Sequence, residues 1–150
     1  MTHAGLLGDP ARSGVYRLPE GATWLARASK ANGFAFWRVD LAAVRDKSGL
    51  LTALALALDF PDWFGGNWDA LQDCLGDLSW KTSPGYVLVV EHCQDIAKHA
   101  PADFATLLDL LAAAGDGWRE QRIPFWVFVG GVSTGLRELP QPDTRRRRAV

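Results

Sequence analysis

Three short stretches constrain the fold of this 150-residue chain more than anything else in it: "FAFWRVDL" from Phe34, "YVLVVE" from Tyr86 and "PFWVFVGG" from Pro124. All are rich in aromatic and β-branched residues, which suit a strand. Side chains alternate across a strand, so a stretch that is apolar at nearly every position must be covered on both faces. The segments between them carry helical spacing instead. Leu50, Leu51, Leu54 and Leu58 recur at intervals of three and four, as do Phe104, Leu107, Leu108 and Leu111. Strands alternating with helices predict an α/β fold, a small three-stranded parallel sheet packed with helices and joined by right-handed crossovers. Val15 to Pro19 has the composition of one extra N-terminal edge strand, and Glu20 to Gly33 that of a helix.

Caps and breakers place the helices. Ser48 is expected to cap the leucine helix and Pro61 to end it, Asn67 to cap a helix from Trp68 to about Leu78, and Pro101 to open a further one. Residues 1–14 mix Gly, Pro, Ser and Ala without a period and predict a mobile leader. After Gly131 the chain turns polar, with two prolines and the run Arg145 to Arg148, and predicts a flexible tail.

The net charge of −1 hides an uneven distribution. Between Phe34 and Gly130 thirteen Asp and Glu face seven Lys and Arg, so that span carries −6. Cys74 and Cys93 are too few for a disulfide framework and fit a reduced compartment. The most apolar segment, "GLLTALALALDF", falls well short of the roughly 20 residues that span a bilayer. The first residues lack the cationic start and long apolar run of a secretory signal, so a cytoplasmic location is expected.

The acidity concentrates in "FPDWFGGNWDALQDCLGDLSW", Phe60 to Trp80, where four aspartates precede the first lysine. At 100° per residue, Trp68, Leu71, Cys74, Leu75 and Leu78 share one arc of the helix, while Asp69, Gln72, Asp73 and Gly76 share the opposite one. Asp69 and Asp73 stand one turn apart, where like charges cost an isolated helix about 0.2–0.5 kcal/mol. The helix dipole relieves Asp69 in the first turn and little beyond it. A solvated polar face accounts for an acidic helix by itself. The Gly65-Gly66 pair, which lets a partner approach the backbone, and Trp63 beside the carboxylates argue for a binding surface. Two placements of Trp63 are open, one at that surface and one tucked into the core.

"FPDWFGGNWDALQDCL" resembles the signature of the barstar family: Pro, an acidic residue, two aromatics, Gly, a variable residue, Asn, an apolar residue, Asp-Ala-Leu, a variable residue, Asp-Cys-Leu. Fifteen consecutive positions match without a gap, and the likeness extends from about Phe34 to Gly130. It implies a barstar-like domain over 34–131, an N-terminal extension over 1–33 and an Arg-rich tail over 132–150. It also implies an intracellular protein inhibitor, monomeric when free, that forms a one-to-one complex with a secreted guanyl-specific ribonuclease of the barnase type and needs no cofactor. By that resemblance Asp73 is the main anchor in the enzyme's phosphate-binding pocket, and Asp69 supports it. Asn67 and Trp68 match positions at the binding surface, and Trp63 stands where the family usually has tyrosine. Cys74 matches a mostly buried position. Gln72 replaces a tryptophan that makes contact in the best-known member. Counting back from the last strand puts Asp116 and Glu120 near the family's second acidic element.

Two other classes have some footing in the residues. Glu91 and His92, with Cys93 adjacent, sit at the end of a parallel strand, where α/β enzymes often place chemistry. No Gly-rich phosphate loop or nucleophile elbow accompanies them, and His92, Cys93 and His99 lack metal-ligand spacing. The arginine run has charge for nucleic acid, but the acidic body opposes docking and no basic strip with interleaved aromatics appears. The same run has the charge to fold back over Asp69 and Asp73.

Overall fold

The computed structural model describes residues 2–132 and 135–139. Its centre is the three expected strands, β2 (Ala35–Asp40), β3 (Tyr86–Glu91) and β4 (Phe125–Val129), paired in parallel with Trp37 opposite Leu88 and Leu88 opposite Val127. The sheet has five strands, not three. β1 (Val15–Arg17) lies parallel against β4, and β5 (Arg137–Glu138) lies parallel against β1, so the order is β2-β3-β4-β1-β5. The N-terminal strand is therefore internal, and the edge comes from a segment expected to be flexible. β5 is two charged residues long and has no alternation to betray it. It is held by main-chain pairing, by the Arg17–Glu138 ion pair, and by the Arg137 guanidinium 4.5 Å from the Tyr16 ring centroid, with Leu139 buried beside it. Arg145 to Arg148 lie outside the described residues.

Both faces of the sheet are covered, as strands of this composition require. Trp37, Val39, Leu88, Val90, Val127 and Val129 point to one face. There they meet α3 (Lys47–Ala57), α4 (Trp68–Asp77), α5 (Gln94–His99) and α6 (Pro101–Glu120). Val87, Val89, Trp126, Phe128 and Tyr16 point to the other, where Leu6 and Leu7 of α1 (His3–Leu7) and Leu25 and Ala28 of α2 (Trp24–Ala31) pack on them. The stretch expected as a mobile leader thus forms α1, and the Trp126 indole N–H donates to Leu7 O at 2.8 Å. Five residues are too few to show a period, but Leu6 and Leu7 are fully buried.

Local signals place the helices with one correction. The α3 cap is Asp46, whose Oδ1 accepts from the Gly49 N–H at 2.8 Å, while Ser48 lies inside the helix. α6 runs unbroken through Gly115 and Gly117 to Glu120, because Gly115 is buried where the helix crosses Gly14 and Phe125. Leu50, Leu51, Leu54, Leu58, Phe104, Leu107 and Leu111 are buried as the spacing indicates, with Leu108 half-buried.

If the first helix is integral to the core, Leu6→Ala lowers the unfolding free energy by about 2–4 kcal/mol. Chemical denaturation measures it, and a change under about 0.5 kcal/mol would return residues 1–14 to the status of a leader.

Candidate functional site

α4 begins where the sequence places its cap. Asn67 is extended and its Oδ1 accepts from the Ala70 N–H at 2.8 Å, and the preceding Gly66 has φ 70°, a conformation glycine adopts without strain. Leu71, Cys74 and Leu75 are fully buried against the core. The end of the helix is fixed as firmly: Leu78 turns left-handed at φ 49°, and the Trp118 indole N–H of α6 donates to Leu75 O at 2.8 Å. With that face committed, Asp69, Gln72, Asp73, Gly76 and Asp77 are all exposed.

Among the described residues, neither Asp69 nor Asp73 forms an ion pair with a Lys or Arg of this chain. Asp77 Oδ2 accepts only from the Ser79 hydroxyl, at 2.9 Å. Lys47 is nearby but lies over the Trp68 ring, 5.5 Å from its centroid, and Trp68 itself is half-buried against the core. Trp63 takes the surface placement: it is 55% exposed, leaning edge-on to Trp80 at 6.3 Å. Trp80 anchors the loop beneath through its indole N–H to Leu58 O at 3.1 Å. The loop that leads into α4 thus carries an exposed ring, and the helix itself a row of carboxylates without cationic partners among the described residues.

Asp116 and Glu120, which counting puts near a second acidic element, do not line the groove that α6 shares with α4. Asp116 is paired with Arg119 at 2.7 Å and lines the flank of α6 that faces Gly14 and Arg137. Glu120 is exposed and lines neither flank groove of α6. The α6 residues that face α4 are Leu110, Ala113, Ala114, Gly117, Trp118 and Gln121, across a groove of about 480 Å³ from Gln72, Asp73, Gly76 and Asp77. Asp77 and this α6 wall were not foreseen. The spacing of Leu110, Ala114, Gly117 and Gln121 by three and four was the signal available.

Burial pushes the Cys74 thiol up to about 11, with the charges of Asp73 and Asp77 adding to it, and burial takes Cys93 to about 12. At the end of β3, His92 Nδ1 lies 2.8 Å from Asp40 Oδ1. The Ala42 N–H, and next His92, hold the Asp40 carboxyl below the usual carboxylate range. That pair is exposed, while Cys93 beside it is buried.

Fold and site together define a class: a parallel α/β protein whose acidic helix is fixed by its core and open to a partner on its other side. The family model described as Barstar (barnase inhibitor) matches residues 34–130, and the chain belongs to the barstar family. No curated protein matches the chain in sequence. Among solved structures, the Aeropyrum pernix ORC2 protein in its ADPNP-ADP complexes is similar with a TM-score of 0.55 at 17% identity, a likeness of fold alone. It covers 87% of this chain, which spans only 40% of that one. Among the described residues no helix is long and apolar enough to cross a membrane.

Asn67→Ala removes the cap and lowers stability by about 1 kcal/mol, measurable by thermal or chemical unfolding. Both cysteines are predicted to resist alkylation by iodoacetamide at pH 8 until denaturant is added. A folded thiol pKa above the ordinary value of 9.0 also fixes a sign: this contribution to stability is complete below about pH 9 and is lost as pH rises towards 11.

Proposed function

We propose that this protein is an intracellular inhibitor of a secreted, barnase-like guanyl-specific ribonuclease, acting as a cytoplasmic monomer that forms a one-to-one complex and carries out no catalysis of its own. The observation that carries this reading is the pair Asp69 and Asp73, exposed one turn apart and without cationic partners among the described residues, on a helix whose signature lies inside the barstar match.

A ribonuclease holds its phosphodiester with arginine, lysine and histidine, so its empty cleft is a concentrated positive field. Carboxylates at the spacing of neighbouring phosphates replace the substrate's charges, and Asp to Arg bonds are short, charge-assisted and often bidentate. Asp73 enters the cleft as the anchor, Asp69 supports it, and Trp63, Asn67 and Trp68 surround them. Gly76 leaves room for the partner beside Gln72. Once the helix is seated, RNA is excluded by bulk. Opposite fields also steer the encounter, which makes association fast and sensitive to salt.

Truncating one partner of a buried ion pair strands the other charge at a cost of about 3–5 kcal/mol. Asp73→Ala should therefore weaken inhibition by about 10²-fold or more. Asp109→Ala, an exposed aspartate on the far flank of α6, should leave inhibition unchanged. Titrating residual RNA cleavage by a panel of guanyl-specific microbial ribonucleases tests both variants, and equal losses would contradict the assignment.

A further inference from the structure

On the other flank of α6, two arginines converge on a glycine. A Cβ on Gly14 would fall 2.6 Å from Arg137 Nη2 and 3.4 Å from Arg119 Nη2, so the two guanidiniums stand no farther apart than those distances combined. A side chain at Gly14 would take the space that Arg137 uses. Like charges this close repel, and the chain offsets them only in part. Arg119 donates to Asp116 Oδ1 at 2.7 Å and to Ser13 O at 2.6 Å, and its Nε is buried with no acceptor among the described residues, which is rare for a buried donor. Arg137 lies over the Tyr16 ring, 4.5 Å from its centroid, and among the described residues no carboxylate comes within ion-pair distance of it. Both arginines line a cavity of about 330 Å³ between α6 and the segments of β1 and β5. Its walls are apolar at Val15, Ala105, Leu108, Ala112 and Leu136, and Asp109 and Asp116 border it. Gly14, Val15, Leu136 and Arg137 lie outside the residues that the family model matches.

We infer that this cavity binds a small organic monocarboxylate, its carboxylate between Arg119 and Arg137 and its hydrocarbon body along Leu108, Ala112 and Leu136. The inference goes beyond the inhibitor reading and does not depend on it, since no residue of the α4 surface takes part. The planar fork of a guanidinium matches a carboxylate, and two forks facing one anion relieve their own repulsion. Asp109 and Asp116 set against Arg119 and Arg137 leave the lining without net charge. One added negative charge is therefore held by the arginines, whereas the second charge of a phosphate dianion has only carboxylates left to face. An uncharged apolar molecule would cover the walls and leave two guanidiniums desolvated and unpaired. The volume lies at the small end of ligand pockets, which run from about 300 to 1,000 Å³, and this suits a body of a few carbons. A free short-chain acid and the C-terminal carboxylate of a peptide present the same chemistry.

Hexanoate is the probe, titrated into the full chain by calorimetry with thermal unfolding followed in parallel. Hexanol and inorganic phosphate separate the hydrocarbon body from the anion, and the peptide Ala-Ala-Leu with a free or an amidated C-terminus represents the second source. Hexanoate is expected to bind and to raise the melting temperature, with hexanol and phosphate each weaker by about ten-fold or more. Tighter binding of the free-acid peptide, lost on amidation, assigns the carboxylate to a chain end; tighter binding of hexanoate assigns it to a free acid, and either result supports the site. Arg137→Gln removes one of the two charges. Ala112→Leu narrows the cavity from an exposed position on its wall, and leucine keeps the helix. Each variant is expected to weaken hexanoate binding by about ten-fold or more, and Ala112→Leu to do so with an unchanged melting temperature in the absence of ligand. No carboxylate binding by the unaltered protein, equal binding of hexanol or phosphate, or full binding by both variants would overturn the site. None of these measurements uses a nuclease, so their failure leaves the inhibitor reading standing, and failure of that reading leaves this site standing.

Discussion

Burial of Leu71, Cys74 and Leu75 sets the rotation of α4 about its own axis, and the character of the exposed surface follows from that rotation. Each such side chain is worth about 1.5–3 kcal/mol when removed from water. Repulsion between Asp69 and Asp73 is worth only a few tenths of a kcal/mol. The core therefore wins easily, and it can hold a line of like charges outward that an isolated helix would not favour. Asn67 at one end and the Trp118 to Leu75 hydrogen bond at the other remove the remaining freedom of the helix to slide or fray. The helix that carries the carboxylates is thus held in place by contacts within this chain.

The same economy explains the sheet. Strands apolar on both sides commit the chain to two helical layers, and the layer opposite α4 is supplied by α1 and α2, outside the span of the family match. β1 and β5 widen the sheet on the side away from α3. These additions leave the acidic face untouched: Leu6, Leu7, Leu25 and Ala28 pack on the reverse face of β3 and β4. The acidic face therefore belongs to one helical layer, while the helices outside the family match build the other.

How much was legible in the sequence depended on length and on phase. β2, β3, β4 and the cap at Asn67 were legible, because each has a strong local signal of several residues. α1 and β5 were not, since five residues and two residues show no period and are held by contacts far away in the chain, such as Trp126 to Leu7 and Arg137 over Tyr16. The orientation of Asp116 was hidden for another reason. Counting back from a strand crosses the turn at Arg122, where φ is 61°, and carries no information on helix rotation. The burial of Leu107, Leu111 and Trp118 does fix that rotation, and it turns Gly117 and Gln121 towards α4 while Asp116 pairs with Arg119.

The central claim is that the α4 carboxylates occupy the site where a ribonuclease holds its phosphodiester. Competition with a guanosine monophosphate measures this most directly: the apparent dissociation constant of the complex between this protein and a guanyl-specific ribonuclease is followed as the nucleotide is added. Mutually exclusive binding predicts an apparent constant that rises in proportion to nucleotide once the enzyme's own nucleotide site is saturated. An apparent constant that stays level while the nucleotide is bound would mean that the acidic helix docks elsewhere.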